Sequence, residues 1–151
     1  MKILKITLFA ILLSYLITFT ANGLLLGKTT DVITDRMRFM QMAERSIFAI
    51  KQSIMVLDFR RANDHALMIQ KWAYKMKYFF PPGSGASVSN LSAASNDIWK
   101  NLTVFNKFIK LKQEGADRMV IAARDQNKEQ LKAALDATVE SCNLCHDAFR
   151  N

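Results

Sequence analysis

Apolar residues return along most of this chain at alternating intervals of three and four, the rhythm of helices that each bury one stripe against their neighbours. The first run, after the cap candidates Thr29, Thr30 and Asp31, is Ile33, Arg36, Met40, Ala43, Ile47, Ile50, Ile54 and Leu57. One member breaks the pattern. Arg36 stands at an inward position, where a charge needs an anionic partner or a route along its own stem to water. A turn follows between Asp58 and Asp64, and Ala62, Ala66, Ile69, Ala73, Met76 and Phe80 carry the rhythm through a second helix. Pro81-Pro82-Gly83-Ser84-Gly85 breaks it, and small polar residues continue to Asn96. Ser95 or Asn96 then caps a third helix, with Ile98, Leu102, Phe105, Ile109, Lys112, Ala116, Met119 and Ala123 on one face and Gly115 as a mild weak point. After the turn at Asp125-Gln126-Asn127, where Asn127 and Gln130 are spaced like a capping box, a fourth helix presents Leu131, Leu135, Thr138, Cys142, Cys145 and Phe149. Four amphipathic segments without a strand pattern, joined by short connections outside the 81–95 loop, predict an all-α antiparallel four-helix bundle.

The chain ahead of the bundle has a different composition. Lys2 and Lys5 precede an apolar core from Ile6 to Phe19, and Ala21-Asn22-Gly23 supplies the small residues of a cleavage site. Residues 1–23 therefore read as a signal peptide, leaving 24–151 as one domain of ordinary size. The competing reading is an uncleaved anchor, because no charge occurs from Ile6 through Gly27, close to the ~20 residues that span a bilayer. Ser14, Thr18, Thr20 and Asn22 interrupt that run and weigh toward cleavage. Both readings put the folded part outside the cytoplasm, in the periplasm, membrane-anchored if the segment stays on. The formal charge of +8 falls to +6 without Lys2 and Lys5. That surplus suits an acidic redox partner or contact with an anionic membrane surface, and equally a solvated basic surface with no partner. Nucleic acid is set aside: Arg60-Arg61 and the lysines from Lys107 to Lys112 are scattered rather than clustered with aromatics.

Both cysteines of the chain lie in Cys142-Asn143-Leu144-Cys145-His146, the pattern for covalent attachment of a c-type haem. On a helix the two thiols project from one face and can add to the two vinyl groups along one haem edge, while His146 reaches beneath the macrocycle as proximal iron ligand. A redox dithiol, half of a zinc site and a plain disulfide are the alternatives. Zinc needs about four ligands, and the only further histidine is His65, which lies beside its helix stripe and reads as a surface residue. A dithiol of the thioredoxin kind belongs to a βαβ unit, which this pattern lacks. With a haem present, the partner for the inward Arg36 becomes a propionate.

A bundle whose haem motif continues Asp147-Ala148-Phe149-Arg150, with a Phe80-Pro81-Pro82-Gly83-Ser84 turn, an Ile98-Trp99 pair opening helix three, and Arg36 four residues before Met40, resembles the cytochrome c prime family over the whole of 24–151. The resemblance implies one haem c held by Cys142 and Cys145, His146 as proximal ligand, Arg150 near that histidine, Arg36 near a propionate, and homodimers through the first two helices. Family members commonly have tyrosine where this chain has Phe149. It also makes Met40 the deciding position. As a sixth ligand beside His146, Met40 gives a low-spin one-electron carrier, and that is the expectation here; as core filler it leaves a five-coordinate iron that binds nitric oxide or carbon monoxide. A peroxidase-like enzyme would need polar acid and base groups on the distal side, where only Glu44 is near Met40, so no enzymatic activity is expected.

Overall fold

The computed structural model describes residues 31–151, so the leader or anchor expected over 1–23 and the cap candidates Thr29 and Thr30 lie outside the described residues. Helix α1 is described over residues 31–56, α2 spans Phe59–Lys75, α3 Leu102–Arg124 and α4 Lys128–Phe149. Helix α3 packs against both α2 and α4. Ile50 and Ile54 of α1 join Ala62, Ala66 and Ile69 of α2 in one buried cluster. This is the four-helix bundle that the periodicity predicts. Among the described residues no helix is long and apolar enough to cross a membrane, and the β pairing is a single isolated bridge between Ala94 and Arg150.

The two short corners are built alike. At the end of α1 the backbone N–H of Asp58 donates to Ser53 O (2.9 Å), with Leu57 in a left-handed conformation at φ 58°. At the end of α3 the N–H of Asn127 donates to Ala122 O (2.9 Å), with Gln126 at φ 52°. These six-to-one bonds are Schellman closures, which satisfy carbonyls left free at a helix end. The closing residue then starts the next helix: the Asp58 carboxylate accepts from Arg61 N and the Asn127 side chain from Gln130 N, each at 2.9 Å. Between the corners lies a core of alanines and branched aliphatics, with Ala66, Ile69, Ala116, Met119, Leu131 and Leu135 sealed from solvent. Farther along, a Cβ placed on Gly115 would meet Thr138 Oγ1 at 2.5 Å and Thr138 Cα at 3.3 Å. Gly115 is thus a point of close approach of α3 and α4, where any larger residue would meet Thr138.

The opposite end is aromatic and looser. Phe39 stacks on Trp72 (4.8 Å, 13°), Phe79 meets both edge-on, and Phe105 sits edge-on between Phe80 and Phe149. The connection from α2 to α3 crosses this end and is fastened to the end of α4: Ser95 N donates to Phe149 O (2.8 Å) and Asn151 N to Ala93 O (2.9 Å).

Four sequence expectations shift. The turn expected up to Asp64 is absent, because Asp58 already caps α2, which begins at Phe59. Leu57 is exposed instead of ending the α1 stripe, because the chain has already left the helix there. The second helix does not stay α-helical to Phe80; it tightens into a 3-10 turn at Met76–Phe79. Ser95 does cap a helix, but a 3-10 one at Asn96–Ile98, and α3 restarts at Leu102. That restart changes the phase, so Leu102 faces solvent while Phe105 and Ile109 keep to the core.

Candidate functional site

The open end encloses a cavity of about 630 Å³, within the range of small-molecule and cofactor sites. Helix α1 contributes Arg36, Met40 and Ala43 to its wall, α3 contributes Phe105, Ile109 and Lys112, and α4 contributes Cys142, Cys145 and His146. Arg150, just past α4, lies at its margin. All six candidate residues named from the sequence therefore meet in one place, although more than a hundred positions separate Arg36 from His146. His65 does not join them. Its Nδ1 lies 3.3 Å from Ser46 Oγ between α1 and α2, partly buried rather than on the surface.

The α4 side follows from helical geometry. Cys142, Cys145 and His146 occupy adjacent positions on the cavity face, all half-buried, and both thiols are free. Burial pushes the Cys145 thiol up to about 11; the Lys112 ammonium opposes the shift and Cys142 adds to it. The His146 imidazole is held below its ordinary range, first by burial and then by the nearby Arg150 and Lys112 charges, against a smaller pull from Asp147. A neutral imidazole is the form that binds a metal. Among the described residues no group of three or more His, Cys, Asp and Glu side chains is arranged to hold a metal ion.

Arg36, on the cavity wall, is held by the connection that follows α2. The side chain is 4% exposed, and neutral oxygens take up the terminal N–H groups of its guanidinium. Nη1 donates to Phe79 O and Ser84 Oγ (both 3.0 Å), and Nη2 donates to Ser84 O (2.7 Å) and Ser92 Oγ (2.8 Å). The Phe80 ring covers the guanidinium carbon at 4.5 Å. Burial lowers its pKa to about 10, so it stays cationic at neutral pH. Through these bonds Arg36 ties α1 to the 81–95 connection. The serines that do this have no periodic signature, and nothing in the sequence marked them.

Lys112 is the site residue that the sequence reading passed over. It appears on the α3 stripe, and it is 5% exposed with its Nζ 3.5 Å from Cys142 Sγ. Its signal was the same as that of Arg36, a cation at an inward position.

The wall as a whole suits a haem. Two thiols one helical turn apart and an adjacent imidazole supply the covalent and iron-binding groups, and aromatic rings line the apolar part. Arg36, Lys51, Lys112 and Arg150 against the lone carboxylate of Glu44 give the lining a positive balance that matches a group bearing two carboxylates.

A family model described as Cytochrome C' matches residues 31–150. No curated protein matches the sequence. Among solved structures, cytochrome c' from Rubrivivax gelatinosus is similar at 18% identity with a TM-score of 0.73, covering 82% of this chain and 97% of that one. The protein from Thermochromatium tepidum is similar at 19% identity and TM-score 0.73, covering 81% and 95%. A nitric oxide complex of a mutant cytochrome c prime from Alcaligenes xylosoxidans is similar at 18% identity and TM-score 0.72, covering 82% and 95%.

Proposed function

The chain belongs to the cytochrome c prime family, whose members carry one covalently bound c-type haem, and on that premise we propose that it is an exported, periplasmic haem protein that binds nitric oxide or carbon monoxide. In this reading Cys142 and Cys145 would form the two thioethers and His146 would bind the iron. Met40, on the α1 part of the wall, would shield the haem from water and bulky ligands. The haem supplies iron-centred gas binding and one-electron chemistry. Arg36 fastens the loop that roofs the cavity, and Arg150 adds positive charge beside His146. The supporting observation is that Met40, His146 and both cysteines line a single cavity on a fold shared with a protein solved with nitric oxide bound.

The earlier expectation, Met40 as sixth ligand in a low-spin electron carrier serving an acidic redox partner, is the second reading. It is favoured by Met40 and His146 lining the same cavity from different helices. Neither reading assigns a catalytic residue. A homodimer through α1 and α2 belongs with both: Phe48 and Met55 on α1 are exposed apolar side chains, and one similar structure is described by its ligand-controlled dimer dissociation.

The deciding experiment is absorption and electron paramagnetic resonance spectroscopy of wild type and Met40→Ala, before and after nitric oxide. Covalent haem is checked first by staining a denaturing gel. A high-spin wild type whose spectrum is unchanged by the substitution and shifts with nitric oxide supports gas binding. A low-spin wild type that Met40→Ala turns high-spin assigns Met40 as ligand and moves the function to electron transfer.

A further inference from the structure

Lys112 is buried at 5% exposure against the cofactor cavity, and its one hydrogen bond is from Nζ to Cys142 Sγ at 3.5 Å. Among the described residues it forms no ion pair, and the cavity wall offers only the carboxylate of Glu44, across on α1. The other deeply buried cation is Arg36, and the loop oxygens already satisfy it. Lys112 also has no easy way out. Ile109 and Ala116 are buried on either side of it, and one turn on, Gly115 presses against the backbone of Thr138, fixing the α3–α4 spacing. An ammonium with no protein carboxylate against it in such a place is costly to bury, and an apolar side chain of the same length would be easier to bury. A thioether at Cys142 would leave it still poorer in partners, since such a sulfur is only a weak acceptor.

We infer that Lys112 is a positioning residue whose buried charge raises the reduction potential of the haem iron. The inference rests on the haem reading above. Adding one electron to ferric iron lowers the positive charge of the site by one, so a fixed cation nearby favours the reduced form. The buried, aromatic surroundings screen that interaction less than water would. At an effective dielectric constant of about 20 and a separation of about 10 Å, two unit charges interact strongly enough to move a one-electron equilibrium about tenfold.

Spectroelectrochemical titration of haem-loaded wild type, Lys112→Met and Lys112→Arg tests this. At the wild-type midpoint, Lys112→Met is expected to show a ferrous-to-ferric ratio about tenfold lower, a midpoint fall of 59 mV for a one-electron couple. Lys112→Arg, which keeps the charge, is expected to stay within about threefold of wild type. The thermal midpoint of Lys112→Met is expected to be equal or higher. An unchanged potential in Lys112→Met, or an equal fall in both variants, would overturn the inference while leaving the haem assignment intact. Loss of covalent haem from Lys112→Met alone would overturn it in favour of a role in attachment. Absence of covalent haem from wild type would defeat the underlying reading and this inference with it.

Discussion

The two ends of the bundle solve opposite problems with the same helices. At the corner end, alanines at positions 62, 66, 116, 122, 123 and 134 let the helices approach closely, and each connection is reduced to two or three residues. At the other end, Trp72 and five or more phenylalanines hold the helices apart, a long connection roofs the gap, and about 630 Å³ remains open. Small side chains bring backbones together and large planar ones brace them at a distance. The difference shows that a cavity in a bundle is kept open by its bracing as much as by missing atoms. It also explains where the charges went. The closed core holds no buried cation, whereas the open end holds Arg36 and Lys112.

The contrast can be broken most severely at Arg36. Arg36→Met removes four hydrogen bonds and leaves Ser84 Oγ without a partner, while Ser92 Oγ and Ser84 O keep their bond to each other, at a cost of about 3 kcal/mol. Urea unfolding gives the total. Hydrogen exchange is expected to localise the loss, with amides of residues 84–94 exchanging faster and those of 116–135 unchanged at low denaturant. Equal loosening at both ends would mean that the ends are not separable.

A smaller effect is expected midway, where α3 and α4 touch. Gly115→Ala gains about 1 kcal/mol of helix propensity, yet its methyl runs into Thr138, whose backbone cannot yield. Overpacking of this kind typically costs about 1–3 kcal/mol, so a net loss of about 1 kcal/mol is expected in thermal unfolding. A stabilised variant would show that the helices can separate freely there. The smallest effect belongs to the corners. Leu57 and Gln126 hold left-handed conformations that cost a side-chain-bearing residue about 1 kcal/mol. Leu57→Gly and Gln126→Gly are each expected to stabilise by about 0.5 kcal/mol, after the extra flexibility of glycine in the unfolded chain is set against that relief. Chevron analysis is expected to place the gain in slower unfolding.

Much of this was legible in the sequence, and the exceptions have physical causes. The stripes from Ile33 to Ile54 and from Leu131 to Phe149 read correctly because burial on a helix imposes a period. Leu57 and Leu102 misled because the pattern continued past points where the backbone departs from the α-helix, and side-chain type alone does not record that change. Arg36 was recognisable as an inward charge, but its partners, the Phe79 carbonyl and the serines of an aperiodic loop, carry no signature at a distance of more than forty positions. Lys112 carried the same signal as Arg36 and was absorbed into the stripe. The haem motif was visible because its chemistry is local, three reactive side chains within five residues. Met40 was locatable as a wall residue, since its place on the stripe sets its direction.

The corners have a consequence for how length can vary in this fold. Asp58 ends one helix and begins the next, and Asn127 does the same, so neither connection contains slack. A residue added there and threaded into a helix would rotate everything on one side by about 100° about the axis, turning a buried stripe toward water. The 81–95 connection can take up insertions as extra loop, at a closure cost that grows only slowly with length. Insertions and deletions are therefore channelled to the roof of the cavity, the part of the molecule that governs what reaches it.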